Sequence, residues 1–197
     1  ELKLHASSCT LLHLATHGQP GSPADPLGAS LALAWGSAQT SDLTLRMLFE
    51  DWQSQLPNCD LVVLSACETQ KATRVGDSLM ALSWGFFYAG APTVLASLWK
   101  VDDRATALLM GRFYENLLNG QGDSKLVALT KAKRWLAEAN RREVREYERK
   151  LGLDAVTENS QRSSGGSGGS GGLNSGMLKP YSDPAYWAGF VLLGSPE

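Results

Sequence analysis

Two residues of this 197-residue chain have the types and settings for nucleophilic chemistry, a histidine and a cysteine that each end an apolar run. His17 follows Leu11-Leu12-His13-Leu14-Ala15-Thr16 and precedes Gly18, while Cys67 follows Leu61-Val62-Val63-Leu64-Ser65-Ala66 and precedes Glu68 and Thr69. A free thiol, with a pKa of about 8.5, is mostly protonated at neutral pH and needs a base or a positive field before it attacks a carbonyl. An imidazole titrates near neutrality and supplies such a base. A glycine directly after the histidine lets backbone approach a substrate closely, and the N–H groups of Gly18 and Cys67 can together form an oxyanion hole. Small neighbours at Ser65 and Ala66 leave the thiol accessible. The set is chemically complete without a third side chain. Against this stands the ordinary fate of a free cysteine, which is to pack as a small buried hydrophobe.

The chemistry works only if two strands lie side by side with these residues at their carboxyl ends, where open α/β sheets gather functional side chains. Leu11–Thr16 is short, apolar and followed by Gly18, Pro20 and Gly21, which predicts a strand entering a loop. Asp60–Ala66 is almost wholly apolar beyond Asp60, as a central parallel strand covered on both faces must be. Ala29–Trp35 reads as a further strand or hairpin arm, and Pro92–Leu98 as another strand.

Between the strands the period changes. Leu45, Leu48, Phe49 and Trp52 share one face of a helix over Ser41–Trp52, with Thr40 or Ser41 as its N-cap. Asp77–Tyr88 reads as a largely buried helix that stops at Gly90. Asp102–Asn119 is amphipathic, with Ala105, Leu108, Leu109, Phe113 and Leu117 toward one side. Ser124–Lys150 reads as one further helix, densely charged after Glu138, and Tyr186–Leu193 as a last strand that returns to the sheet. The alternation predicts an α/β fold with a mostly parallel sheet. Residues 160–176, rich in Gly and Ser, cannot bury apolar surface and are expected to be flexible coil within an insert spanning about 151–179.

A net charge of −2 gives no electrostatic argument for nucleic acid or an anionic membrane, and no apolar run approaches the ~20 residues that span a bilayer. Three cysteines at 9, 59 and 67, without CxxC spacing or a secretory signal, fit reduced thiols in a cytoplasm. His13 and His17 form HxxxH, a zinc pair on a helix, but the run looks like a strand and offers no third ligand, so no metal and no cofactor is expected. Glu1 leads almost directly into the first buried strand, which suggests a single domain over residues 1–197 that is a fragment of a longer chain.

Five blocks then stand in order: ATHG at 15–18, LVVLSACET at 61–69, GFFYAGAPTVLASLWKVDD at 85–103, ATALLMGRFYENLL at 105–118 and YWAGFVLLG at 186–194. Together they resemble the CHAT domain, a caspase-like module related to separase and the caspases and found with tetratricopeptide repeats in bacterial proteins. The resemblance covers nearly everything except residues 139–179.

It implies a three-layer caspase/haemoglobinase-like α/β sandwich with a mostly parallel central sheet. It also implies a cysteine endopeptidase that hydrolyses peptide bonds in a specific protein substrate. His17 would be the general base, Cys67 the nucleophile, and the amides of Gly18 and Cys67 the oxyanion donors. Partners by the same resemblance are a protein substrate and an upstream regulatory module such as tetratricopeptide repeats, with no nucleic acid and no membrane. In the separase branch an acidic residue after the Leu-Trp pair helps bind a basic P1 side chain, and Asp102 and Asp103 stand in the matching segment here. Either aspartate can instead cap the helix that begins near Arg104, and the two roles can be split between them.

The competing function is a CHAT scaffold that binds partners without cleaving them. A third expectation is a latent protease activated by a cut within 139–179. Two departures from the family pattern are the missing N-terminal strands and the long charged and Gly/Ser-rich connection before the last strand.

Overall fold

The computed structural model describes residues 2–33, 42–65, 67–68, 75–119, 122–153 and 178–195. In chain order the elements are α1 (Leu2–Ala6), β1 (Leu11–Leu14), β2 (His17–Gln19), β3 (Ser30–Ala32), β4 (Asp42–Thr44), α2 (Leu45–Glu50), β5 (Leu61–Leu64), β6 (Cys67–Glu68), α3 (Val75–Ala89), β7 (Thr93–Ser97), α4 (Asp103–Leu118), α5 (Lys125–Glu138), α6 (Arg141–Lys150) and β8 (Phe190–Gly194). They form two compact units, Glu1–Val101 with Gly189–Glu197, and Asp102–Ala188.

The first unit carries a four-stranded sheet in the order β1-β5-β7-β8, parallel through β7 and antiparallel at β8. Every residue of β5 and β7 is buried, which is why Leu61–Leu64 shows no polar alternation. A second sheet runs β4-β3-β2-β6. Leu12, Leu14, Leu31, Leu48, Trp52, Leu64, Phe86 and Val94 belong to one continuous core beneath these strands and helices α2 and α3. Helix α3 ends where the sequence places its stop. Gly90 takes φ +112°, the Gly90 N–H bonds the Phe87 carbonyl at 3.0 Å and the Ala91 N–H bonds that of Phe86 at 3.1 Å.

Several boundaries differ from the sequence reading. The first run breaks after Leu14 and resumes at His17 as a separate strand. The expected helix over Ser41–Trp52 starts only at Leu45, because Asp42–Thr44 pairs with β3 and its backbone is committed to that ladder. Thr40 and Ser41 lie outside the described residues; the cap is Thr44, whose hydroxyl accepts the Met47 N–H at 3.2 Å.

In the second unit, α4 packs along α5 and buries Ala105, Leu108, Leu109 and Phe113. The single helix expected over Ser124–Lys150 is two helices, α5 and α6. Asn140 interrupts it by accepting the N–H groups of Arg142 and Glu143 at 2.9 and 3.1 Å, while the Glu143 carboxylate accepts the Asn140 N–H at 2.8 Å. This capping box starts α6 afresh.

The last strand returns to the sheet as expected but begins at Phe190, since Tyr186 is taken up in a 3-10 turn over Pro184–Tyr186 that the Asp183 side chain caps. The Gly/Ser-rich stretch at 160–176 lies outside the described residues. Among the described residues no helix is long and apolar enough to cross a membrane.

Candidate active site

The site is built by one register. β1 and β5 pair in parallel with a constant offset of 50, Leu11 with Leu61 through Leu14 with Leu64. The Ser65 N–H bonds the Leu14 carbonyl at 3.1 Å where the strands pause. The pairing resumes in β2 and β6 with the same offset, so that His17 faces Cys67 and Gly18 faces Glu68. His17 and Cys67 are therefore register partners as the first residues of β2 and β6, just beyond the carboxyl ends of β1 and β5, where paired backbones run about 4.8 Å apart.

The His17 residue is exposed and Gly18 is buried. Gly18 lies between two ladder partners, Glu68 of β6 on one side and Leu31 of β3 on the other. The residue before the histidine is also anchored, for the Thr16 hydroxyl donates to the Ala32 carbonyl at the end of β3. Sequence reasoning passed over Thr16; its only signal is a hydroxyl between an alanine and the histidine.

His13 is the third residue of β1, ahead of His17 at the start of β2. Its Nε2 lies 2.9 Å from the Ser65 hydroxyl on the neighbouring strand. Desolvation holds the His13 pKa below the ordinary imidazole value of 6.5, which favours the neutral ring. Among the described residues no group of three or more His, Cys, Asp or Glu side chains could hold a metal ion.

Asp102 and Asp103 belong to the second unit, whereas His17, Gly18 and Cys67 belong to the first. Asp102 is the N-cap of α4, its carboxylate accepting the Ala105 N–H at 2.9 Å and its carbonyl accepting the N–H and hydroxyl of Thr106. Asp103 is an exposed residue of the first helical turn.

The mostly parallel sheet β1-β5-β7-β8, with β2 and β6 carrying the register of β1 and β5 beyond it to pair His17 with Cys67, is consistent with a caspase-like α/β sandwich. Residues 1–195 match the model of the CHAT domain, and the chain belongs to that family, which is related to the cysteine peptidases. It is similar to tetratricopeptide repeat protein 28 of Homo sapiens, 31% identical over 141 residues, which is 72% of this chain. The Mus musculus protein of the same name is 31% identical over 135 residues, 68% of this chain. The chain spans about 4% of the length of these curated relatives. Both are mammalian, whereas the sequence resemblance pointed toward bacterial proteins.

Proposed function

We propose that the chain is a cysteine endopeptidase of caspase and separase type that cleaves a specific protein substrate. The observation that carries this reading is the register pairing of His17 with Cys67. His17 takes the thiol proton, the Cys67 sulfur attacks the scissile carbonyl, and negative charge develops on the carbonyl oxygen. The Gly18 and Cys67 amides receive that charge. His17 then returns the proton to the leaving amine, which departs and leaves a thioester on Cys67. A water molecule, deprotonated by His17, hydrolyses the thioester and restores the thiol.

Asp102 and Asp103 are the residues that the family resemblance offers for a basic P1 side chain, and Asp102 also caps α4. The family membership and the tetratricopeptide relatives support an upstream repeat module as the regulator, and the cysteine usage supports a reducing, cytoplasmic setting. Cleavage within 139–179 is the proposed route from a latent to an active form.

The test is a peptide-library and protein-substrate cleavage assay on the wild type and on Cys67→Ala. Cleavage and labelling by thiol-reactive peptide probes are expected in the first and absent in the second. Undiminished cleavage by Cys67→Ala excludes the mechanism. Partner binding that survives this substitution, with no cleavage by either form, identifies the scaffold instead.

A further inference from the structure

Cys9 and Cys59 lie just ahead of β1 and β5, at the opposite end of the ladder from His17 and Cys67. The offset of 50 that relates Leu11 to Leu61 and His17 to Cys67 also relates residues 9 and 59. Between these cysteines and the ladder, the Thr10 carbonyl accepts the Asp60 and Leu61 N–H groups at 2.8 and 3.4 Å, so the two segments are held side by side. Cys9 is half-buried and Cys59 buried, and neither is in a disulfide. The Cys9 thiol donates to the Ala6 carbonyl at 3.1 Å and the Cys59 thiol to the Leu61 carbonyl at 3.5 Å. The Cys9 thiol also lies near enough to Cys59 to help raise its pKa.

We propose that Cys9 and Cys59 are a redox pair that closes to a disulfide under a peroxide-class oxidant, stapling β1 to β5 at the end remote from Cys67. A disulfide needs Cα atoms about 4.4–6.8 Å apart, and neighbouring strands stand about 4.8 Å apart. The proposal does not depend on peptidase activity.

The two sulfurs have different roles. Burial and then the neighbouring Cys9 thiol push the pKa of Cys59 up to about 11, which keeps it protonated and slow toward outside oxidants. Half-buried Cys9 is the point of entry. Its thiolate attacks one oxygen of hydrogen peroxide, the O–O bond breaks, and the departing hydroxide leaves as water with the thiol's proton. The Cys59 sulfur then attacks the Cys9 sulfenic acid, the S–S bond forms, the S–O bond breaks, and the hydroxide released takes the Cys59 proton as a second water. Two thiols lose two electrons and two protons while one peroxide becomes two waters.

The consequence falls on the register that brings His17 to Cys67. A bond between residues 9 and 59 closes a long loop in the unfolded chain and fixes the alignment of the two strands. The chain gains stability without any change at the nucleophile.

The experiment treats the purified full chain with hydrogen peroxide, blocks remaining thiols with N-ethylmaleimide, and maps peptides without reduction. A Cys9–Cys59 linked peptide is expected, with loss of two hydrogens from the intact mass and reversal by dithiothreitol. The unfolding temperature should rise by several degrees on oxidation and stay unmoved by peroxide in Cys9→Ser. A Cys67→Ser chain should form the same link. Linkage through Cys67, or Cys9 accumulating as sulfinic acid while Cys59 remains alkylatable, overturns the proposal.

Discussion

The His13 imidazole and the Ser65 hydroxyl meet 2.9 Å apart across β1 and β5, the two strands whose continuations carry His17 and Cys67. Desolvation lowers the His13 pKa from 6.5, so the folded chain holds a neutral ring at pH values where the unfolded chain has already taken up a proton. The unfolded state binds more protons in that interval, and stability rises with pH across it. The contribution is therefore full above about pH 6.5 and is lost as pH falls toward the folded pKa. Urea midpoints measured at several pH values between about 7.5 and 5.5 should decline in the wild type and decline less in His13→Gln. Equal slopes in the two proteins would remove His13 as the source.

Asp102 and Asp103 separate by what each is bonded to. Asp102→Ala removes the acceptor of the Ala105 N–H and should cost about 1 kcal/mol of stability, with Asp102→Ser recovering most of it. Asp103→Asn should stay within about 0.5 kcal/mol of the wild type, as an exposed change does. If Asp103 reads P1, the same variant should lose about tenfold in preference for Arg over an uncharged residue in a cleavage assay. An unchanged P1 profile assigns the specificity elsewhere.

Arg112 pins α4 to the two helices that follow. Its guanidinium lies over the Trp135 ring at 4.3 Å and over the Tyr147 ring at 4.1 Å, and those rings meet edge to face at 4.9 Å. Arg112→Ala should cost about 1–3 kcal/mol in denaturant unfolding followed by tryptophan fluorescence. Arg112→Lys should recover only part of this, because a compact ammonium cannot stack flat against two rings. A loss no larger than that of a typical surface substitution would make the stack decorative.

The parts of this fold that the sequence announces are those fixed by local composition. Leu61–Leu64 reads as a central strand because burial on both faces leaves no room for a polar residue, and Gly90 reads as a helix stop because few other residues adopt its φ. The candidate residues His17 and Cys67 are visible as the ends of apolar runs, but their register, and the break that puts them at the starts of β2 and β6, is not. Nothing within either run encodes an offset of 50; that follows from hydrogen bonds between segments distant in sequence. Asn140 was hidden for a different reason. Its N-cap pattern with Glu143 sits inside a run of charges that by itself favours continuous helix, and only the bonds it makes reveal the break. The approach of Cys9 to Cys59 has no local signal, since it too follows from hydrogen bonds between segments distant in sequence.

Gly85 tests how tightly α2 and α3 enclose the core. A Cβ at this position would stand 2.7 Å from Leu48 Cδ1, 2.9 Å from Leu45 Cδ1 and 2.9 Å from Leu48 Cβ. Helix propensity alone favours alanine over glycine by about 1 kcal/mol. The packing opposes it more strongly, because Leu48 is fully buried and its Cβ, fixed to the α2 backbone, cannot swing aside as a side-chain tip can. Overpacking of this kind costs about 1–3 kcal/mol, so Gly85→Ala should lower stability despite the better helix former. The loss should shrink in part when Leu48→Ala is added, because alanine removes the Cδ1 contact and keeps the Cβ, giving a favourable coupling between the two changes in a double-mutant cycle. A Gly85→Ala chain as stable as the wild type would mean that α2 yields to the added Cβ without cost, and the packing argument for Gly85 would fail.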